Sequence, residues 1–164
     1  MDNILSKDQK IEYNARVEDI MSRKIIGVKP TDTLKHVLEI LIREGYKRLP
    51  VVDENYNLLG VVTDKDLRSY SKSIFEHDLK DILDSLESYQ VKDILVDPML
   101  YKKAHHGERV IQCAKEMLVH QINGMPVVDE DGKLEGIVTR SDLLDQLIRI
   151  LEPLNIKNNK EKVE

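Results

Sequence analysis

The sequence predicts an α/β (α+β) fold in which one β-α-β-β-α unit is used twice. Leu49-Pro50-Val51-Val52-Asp53 and Gly60-Val61-Val62-Thr63-Asp64-Lys65-Asp66 return as Met125-Pro126-Val127-Val128-Asp129 and Gly136-Ile137-Val138-Thr139-Arg140-Ser141-Asp142. The displacement from Pro50 to Pro126, from Gly60 to Gly136 and from Asp66 to Asp142 is 76 residues each time. An amphipathic helical pattern precedes each of these strand pairs. Two copies of one unit pack with pseudo-twofold symmetry and leave clefts between them.

Each copy opens on a short capping segment, Val17-Glu18-Asp19-Ile20-Met21 in the first and Val91-Lys92-Asp93-Ile94-Leu95 in the second, here displaced by 74 residues. The second copy therefore carries two extra residues between Leu95 and Val110, expected in the loop around Ala104-His105-His106-Gly107. A first strand is expected near Ile26. Leu34, Val37, Leu38, Leu41 and Ile42 then follow the i, i+3, i+4, i+7, i+8 spacing of a helix with one apolar face, and Val110, Cys113, Ala114, Met117 and Leu118 repeat it. Gly45 has the character of a helix C-cap. Gln121 stands at the matching point, so a different helix end is expected there.

Val51-Val52 and Val61-Val62 are short apolar runs separated by Asn55-Tyr56-Asn57, and their equivalents flank Asp131-Gly132, the pattern of β-hairpins. Asp66-Leu67 and Asp142-Leu143-Leu144 open further helices, the second expected to end near Pro153. Between the copies, Leu79, Ile82, Leu83 and Leu86 have helical spacing, so the connector that begins at Ser71-Lys72-Ser73-Ile74-Phe75-Glu76 is read as helical. From Asn155 onward the chain is almost wholly polar and reads as disordered. The expected organisation is an N-terminal extension over 1–16, repeats over 17–70 and 91–151, the connector over 71–90, and a polar tail over 152–164.

The 164 residues are 41% hydrophobic and 34% charged, which suits a globular chain whose halves share a core. Either half alone, at about 55 residues, would leave too much surface exposed to be more than marginal, so pairing is expected to be obligatory. A net charge of −5 gives no reason to expect nucleic acid as a partner. No apolar run approaches the roughly 20 residues of a membrane span, and the first residues lack a signal-peptide pattern, so a cytoplasmic protein is expected. Cys113, the single cysteine, falls on an apolar helix face and reads as a small hydrophobe.

The duplicated helix, the Pro-Val-Val-Asp strand and the Gly-h-Val-Thr-x-x-Asp motif, where h is apolar, together resemble the CBS-domain pair, also called a Bateman module. The resemblance runs from Val17 to Leu151. Ser71 to Glu76 is similar to the stand-alone CBS proteins of the acetoin-utilisation type, without the C-terminal ACT domain that those commonly carry. The resemblance implies a regulatory module, not an enzyme, with a cleft that takes an adenosine compound such as AMP, ADP, ATP or S-adenosylmethionine. It implies no required cofactor, a homodimer, and an effector protein the sequence does not identify.

An ionised carboxylate can accept both hydroxyls of a ribose, the service Asp66 and Asp142 offer, while Thr63 and Thr139 sit at strand-to-helix corners that favour a phosphate. The same Thr-x-x-Asp spacing is a capping box, and the two roles are compatible. The family architecture implies that Asp142, Thr139 and Arg140 face Tyr46, Lys47 and Arg48, with Ile137 and the strand near Ile26 as apolar walls. Asp66, Thr63, Lys65 and Val61 would face Ile122 and Asn123 in a second, less cationic cleft. The first is expected to hold a phosphorylated adenosine ligand. The alternative is a ligand-free interaction module in which both motifs only cap helices.

His105-His106 and His120 lack a ligand set with closed-site spacing, so no metal is expected. No phosphate-binding glycine loop, nucleophile elbow or zinc-protease helix occurs, and no motif places Cys113 or Ser141 beside a base.

Overall fold

The computed structural model describes residues 14–70, 79–96 and 101–160, without the side chains of Leu79 and of 153–160. In chain order the elements are α1 (Val17–Ile20), α2 (Leu34–Glu44), β1 (Arg48–Val52), β2 (Leu58–Thr63), α3 (Asp64–Arg68), α4 (Leu79–Glu87), a 3-10 turn at Val91–Asp93, β3 (Ala104–His105), α5 (Val110–Val119), β4 (Gly124–Val128), β5 (Leu134–Thr139) and α6 (Arg140–Lys160).

The duplication is exact in the hydrogen-bond register. In the antiparallel pair β1–β2, Arg48 stands opposite Thr63 and Val51 opposite Gly60, with an irregularity at Val51/Val52. In β4–β5, Gly124 stands opposite Thr139 and Val127 opposite Gly136, with the irregularity at Val127/Val128. β3 adds to β4 in parallel through Ala104 and Val127. Its counterpart in the first repeat is a single parallel bridge between Val28 and Val51. The strand expected near Ile26 is thus reduced to one bridge.

Because Val28 and Ala104 are already in the 76-residue register, the two extra residues of the second copy lie before Ala104. This corrects their expected place around Ala104 to Gly107.

Helix ends follow from their caps. Thr33 accepts from the His36 amide at 3.2 Å to start α2, and Gly45 closes it in the left-handed conformation at φ 69°. Gln121 adopts the same conformation at φ 53°, and the bonds match: Tyr46 N–H donates to Leu41 at 3.0 Å, and Ile122 N–H to Met117 at 3.1 Å. The different helix end expected from Gln121 is not found; the position takes the glycine geometry without a glycine. α6 also departs from expectation. It passes Pro153 and continues to Lys160, so the span read as a disordered tail begins with the last turns of this helix.

The core is shared between the two repeats. Val17 and Met21 from the start of the first repeat pack with Ala104, Cys113, Met117, Met125, Val127 and Val138 of the second. In exchange, Val91, with Ile94 and Leu95 beside it, joins Val37, Leu41, Leu49, Val51 and Val62 of the first. Backbone bonds fix the exchange, Val17 N–H to Glu108 at 2.9 Å and Val91 N–H to Asp32 at 2.9 Å. Each fully buried aliphatic side chain of this kind contributes about 1.5–3 kcal/mol.

A third cluster, Val52, Leu58, Val128 and Leu134, takes two residues from each repeat. It sits where Leu58 N–H donates to Gly132 at 3.1 Å and Leu134 N–H donates to Tyr56 at 3.0 Å, a mirrored pair across the pseudo-twofold axis. The connector helix α4 places Ile82 and Leu86 in the first repeat's core, as its spacing predicts. The expected start of the connector, Ser71 to Glu76, lies outside the described residues.

Candidate functional site

The two Thr-x-x-Asp motifs fold alike. Thr139 ends β5 and caps α6, and its amide and hydroxyl both donate to Asp142 Oδ2 at 2.7 Å, while the Asp142 amide donates to Thr139 Oγ1 at 3.3 Å. Thr63 and Asp66 repeat this arrangement at 2.7, 2.7 and 3.3 Å. Capping is therefore a real role of both acids. Both capping bonds land on Oδ2, which directs the outward capacity of each carboxylate to Oδ1. An unshared Oδ1 carries two lone pairs, enough for two hydroxyl donors.

Around Asp142 the fold builds a cavity of about 460 Å³, within the usual range for small-molecule sites. Its walls come from both repeats. The segment leaving α1 supplies Ser22, Lys24 and Ile26; the turn between α2 and β1 supplies Gly45, Tyr46 and Lys47, and the start of β1 supplies Arg48 and Leu49; the second repeat supplies Asn123, Ile137, Thr139, Arg140, Ser141 and Asp142. All eight residues read from the sequence into the main cleft, namely Asp142, Thr139, Arg140, Ile137, Tyr46, Lys47, Arg48 and Ile26, line this one cavity.

Three backbone contacts fix its geometry. Ser22 and Ile137 exchange hydrogen bonds at 2.9 and 3.0 Å, which holds the first-repeat segment against β5. At Gly136 an added Cβ would overlap the Met21 sulfur and come within 3.1 Å of the Ser22 carbonyl, so this glycine permits the close crossing. Arg140 N–H donates to Asn123 at 3.0 Å, joining the start of α6 to the turn after α5.

The lining carries four cationic side chains, Lys24, Lys47, Arg48 and Arg140, against one carboxylate, Asp142. This is a local positive field on a chain whose net charge is −5. Arg48 is half-buried, and its guanidinium donates to the Gly124 carbonyl at 2.8 Å. Burial lowers the pKa of Arg48 below the usual arginine value, a pull that Asp64 opposes and the nearby charge of Arg140 reinforces. Arg140 in turn donates to the Met117 carbonyl at 3.1 Å. Two guanidinium groups are thus held by backbone carbonyls close enough to repel, the arrangement an anion relieves.

The residues read into the second cleft divide. Asp66 and Thr63 form their capping box, and Lys65 is exposed. Ile122 instead packs against the second repeat's core, and Asn123 lines the cavity around Asp142. The counterparts of Ser22 to Lys24 fall within 96–100, of which 97–100 lie outside the described residues. Sequence reasoning did not single out Ser22, Lys24, Gly45, Leu49 or Ser141 as lining residues. The exchange of capping segments, visible only in three dimensions, brings the first two there.

The other constellations are structural. Cys113 is buried in the second core, and burial pushes its thiol up to about 12, far from a reactive thiolate. His106 joins two repeats: Nδ1 lies 2.6 Å from Glu135 of β5 and Nε2 lies 3.8 Å from Glu18 of α1. Among the described residues no group of His, Cys, Asp and Glu side chains is arranged to hold a metal ion, and no helix is long and apolar enough to cross a membrane.

The family model of the CBS domain matches residues 17–73 and 91–149. A CBS domain-containing protein of Dictyostelium discoideum is 39% identical over 140 residues, which cover 84% of this chain and 94% of that protein. Other relatives are longer, enzymes among them, and this chain spans 23% of one enzyme and 26% of another. Among solved structures, CBSX2 in complex with AMP has a TM-score of 0.69 at 29% identity, covering 84% of this chain and 98% of that one. The CBS domain pair of MJ0100, in complex with 5-methylthioadenosine and S-adenosyl-L-methionine, has a TM-score of 0.64 at 26% identity, covering 81% and 99%. With both matched repeats in register and each carrying the same capping box, the chain belongs to the CBS-domain family.

Proposed function

We propose that this protein is a regulatory module that binds a phosphorylated adenosine ligand in the cavity around Asp142 and signals by a change in the packing of its two repeats. The observation that carries this reading is the charge of the cavity, four cations around one half-buried carboxylate. Asp142 Oδ1 accepts the ribose hydroxyls, Arg48 and Arg140 face the phosphate, and Ile26 and Ile137 offer apolar surface to the purine. The AMP complex of CBSX2 and the adenosine-compound complexes of the MJ0100 pair support an adenosine ligand. Asp66, with Thr63, Lys65 and Val61, belongs to a second cleft of weaker or no affinity.

A ligand here touches the segment Ser22 to Ile26 of one repeat and the start of α6 in the other, so it bridges two bodies whose relative position is otherwise set by packing. The shift it produces is bounded by its differential affinity for the two arrangements. Nothing in the lining pairs a nucleophile with a base, and the reading assigns the chain no catalysis and no resident cofactor.

The readout surface in this account is a homodimer face. Leu144, Leu147, Ile148 and Leu151 form an exposed apolar stripe on α6 at i, i+3, i+4 and i+7, and Leu118 on α5 is 71% exposed. A second copy covers this stripe, and an effector protein reads the assembly in the cytoplasm. A ligand-free interaction module is the second reading, favoured by the capping role of both Thr-x-x-Asp motifs.

Thermal melting separates the two. A compound that prefers the native state raises the melting temperature by mass action. AMP, ADP or ATP raises it in the wild-type protein under the first reading; no adenosine compound shifts it under the second. A mass spectrum of small molecules released from the natively purified protein identifies the occupant.

A further inference from the structure

The cavity carries more positive charge than a single phosphate group balances. Four cationic side chains against one carboxylate leave an excess of three. Outside the lining, Asp64 and then Asp66 oppose the charge of Arg48, and Asp64 is itself paired with Arg68 at 3.1 Å, so its field on Arg48 is partly spent. A phosphate monoester carries a charge of about −1.5 to −2 at neutral pH, and each further phosphate adds negative charge.

The four cations also differ in how they are held. Arg48 and Arg140 are fixed to the carbonyls of Gly124 and Met117 and present preset forks to a first phosphate. Lys24 and Lys47 are exposed, and among the described residues neither ammonium has an ion-pair partner. Flexible lysine stems can follow a chain of phosphates outward from the fixed pair.

Resting on the adenosine-site reading above, we infer that Lys24 and Lys47 read phosphate number: the Asp142 cavity prefers adenosine di- and triphosphates to the monophosphate, and it disfavours cationic adenosine compounds. A sulfonium ligand such as S-adenosylmethionine brings a positive charge into a field already in positive excess, so it ranks below adenosine itself.

Isothermal titration in the absence of divalent cations tests the inference, with adenosine, AMP, ADP, ATP and S-adenosylmethionine as probes and with the wild type, Lys24→Met, Lys47→Met and the double variant as proteins. The wild type is expected to bind ATP at least about tenfold more tightly than AMP, one charge-assisted contact's worth of affinity. The double variant is expected to bring ATP close to AMP, its loss of ATP affinity exceeding its loss of AMP affinity by about fivefold or more, since the arginines that hold the first phosphate are intact. Both lysines are exposed, and unchanged thermal melts of the unliganded variants establish that the fold is kept. Equal or tighter binding of AMP in the wild type, tighter binding of S-adenosylmethionine than of ATP, or an ATP preference that survives in the double variant overturns the inference and leaves the adenosine site standing. Failure of every adenosine compound to bind overturns both.

Discussion

The Arg48 guanidinium donates to the carbonyl of Gly124, which is its own counterpart in the second repeat, at 2.8 Å. Glycine cannot return the contact, so the pseudo-twofold symmetry is broken here, beside the cavity around Asp142. A Cβ at position 124 would come within 3.1 Å of the Val138 carbonyl, which leaves little room for a second side chain. One repeat supplies the arm, and the other supplies the carbonyl it holds.

Arg48→Met keeps the aliphatic stem and removes this bond. A hydrogen bond from a charged group contributes about 1.5–3 kcal/mol, so urea unfolding of the variant is expected to show a loss at the lower end of that range, because desolvation and the repulsion from Arg140 are relieved at the same time. An unchanged urea midpoint contradicts a structural role for the contact.

Gln121 occupies a left-handed backbone conformation that its counterpart Gly45 adopts freely. The conformation costs a non-glycine residue about 1–2 kcal/mol, partly offset by the chain entropy that glycine adds to the unfolded state. Gln121→Gly is expected to stabilise the protein by about 0.5–1 kcal/mol, and Gly45→Ala to destabilise it by a similar amount. Chemical denaturation of the pair reads both signs; destabilisation by Gln121→Gly contradicts the equivalence of the two helix ends.

His106 links β5 to α1 across the repeats, and its hydrogen bond to Glu135 raises its pKa above 6.5, with the charge of Glu135 and then of Glu18 adding to the effect and Arg23 opposing it. A folded-state pKa raised above the unfolded value means a contribution fully present below about pH 6.5 and lost as pH rises through the folded value. The melting temperature of the wild type is therefore expected to exceed that of Glu135→Gln in mildly acid buffer, and the gap to close in mildly alkaline buffer. A gap independent of pH contradicts the pairing.

The apolar stripe on α6 predicts self-association. Leu147→Glu places a charge in the middle of Leu144, Leu147, Ile148 and Leu151 without touching the buried core. Light scattering at micromolar concentration is expected to give a dimer for the wild type and a monomer for the variant. A wild-type monomer, or a dimer unaffected by the substitution, moves the interface elsewhere or removes it.

Much of this molecule was legible in its residues because the duplication states each element twice. Pro50 with Pro126 and Asp66 with Asp142 set a register that the strand pairings keep, and the family resemblance brought Tyr46 to Arg48 opposite Asp142. What stayed hidden depends on chain crossing or on a conformation unusual for its residue type. Lys24 carries no motif; it reaches the cavity because Met21 packs on Gly136 of the other repeat. Asn123, expected beside Asp66, lines the cavity around Asp142, where its carbonyl accepts from the Arg140 amide. Proline usually stops a helix, yet α6 passes Pro153, the residue that lacks the amide to bond back toward Arg149.

The most direct test is isothermal titration of ATP into the wild type, Asp142→Asn and Asp66→Asn, since asparagine retains an acceptor for the cap while removing the carboxylate charge. The account predicts that Asp142→Asn weakens ATP binding by about tenfold or more while Asp66→Asn leaves it within about threefold. Undiminished affinity in Asp142→Asn, or a larger loss in Asp66→Asn, contradicts it.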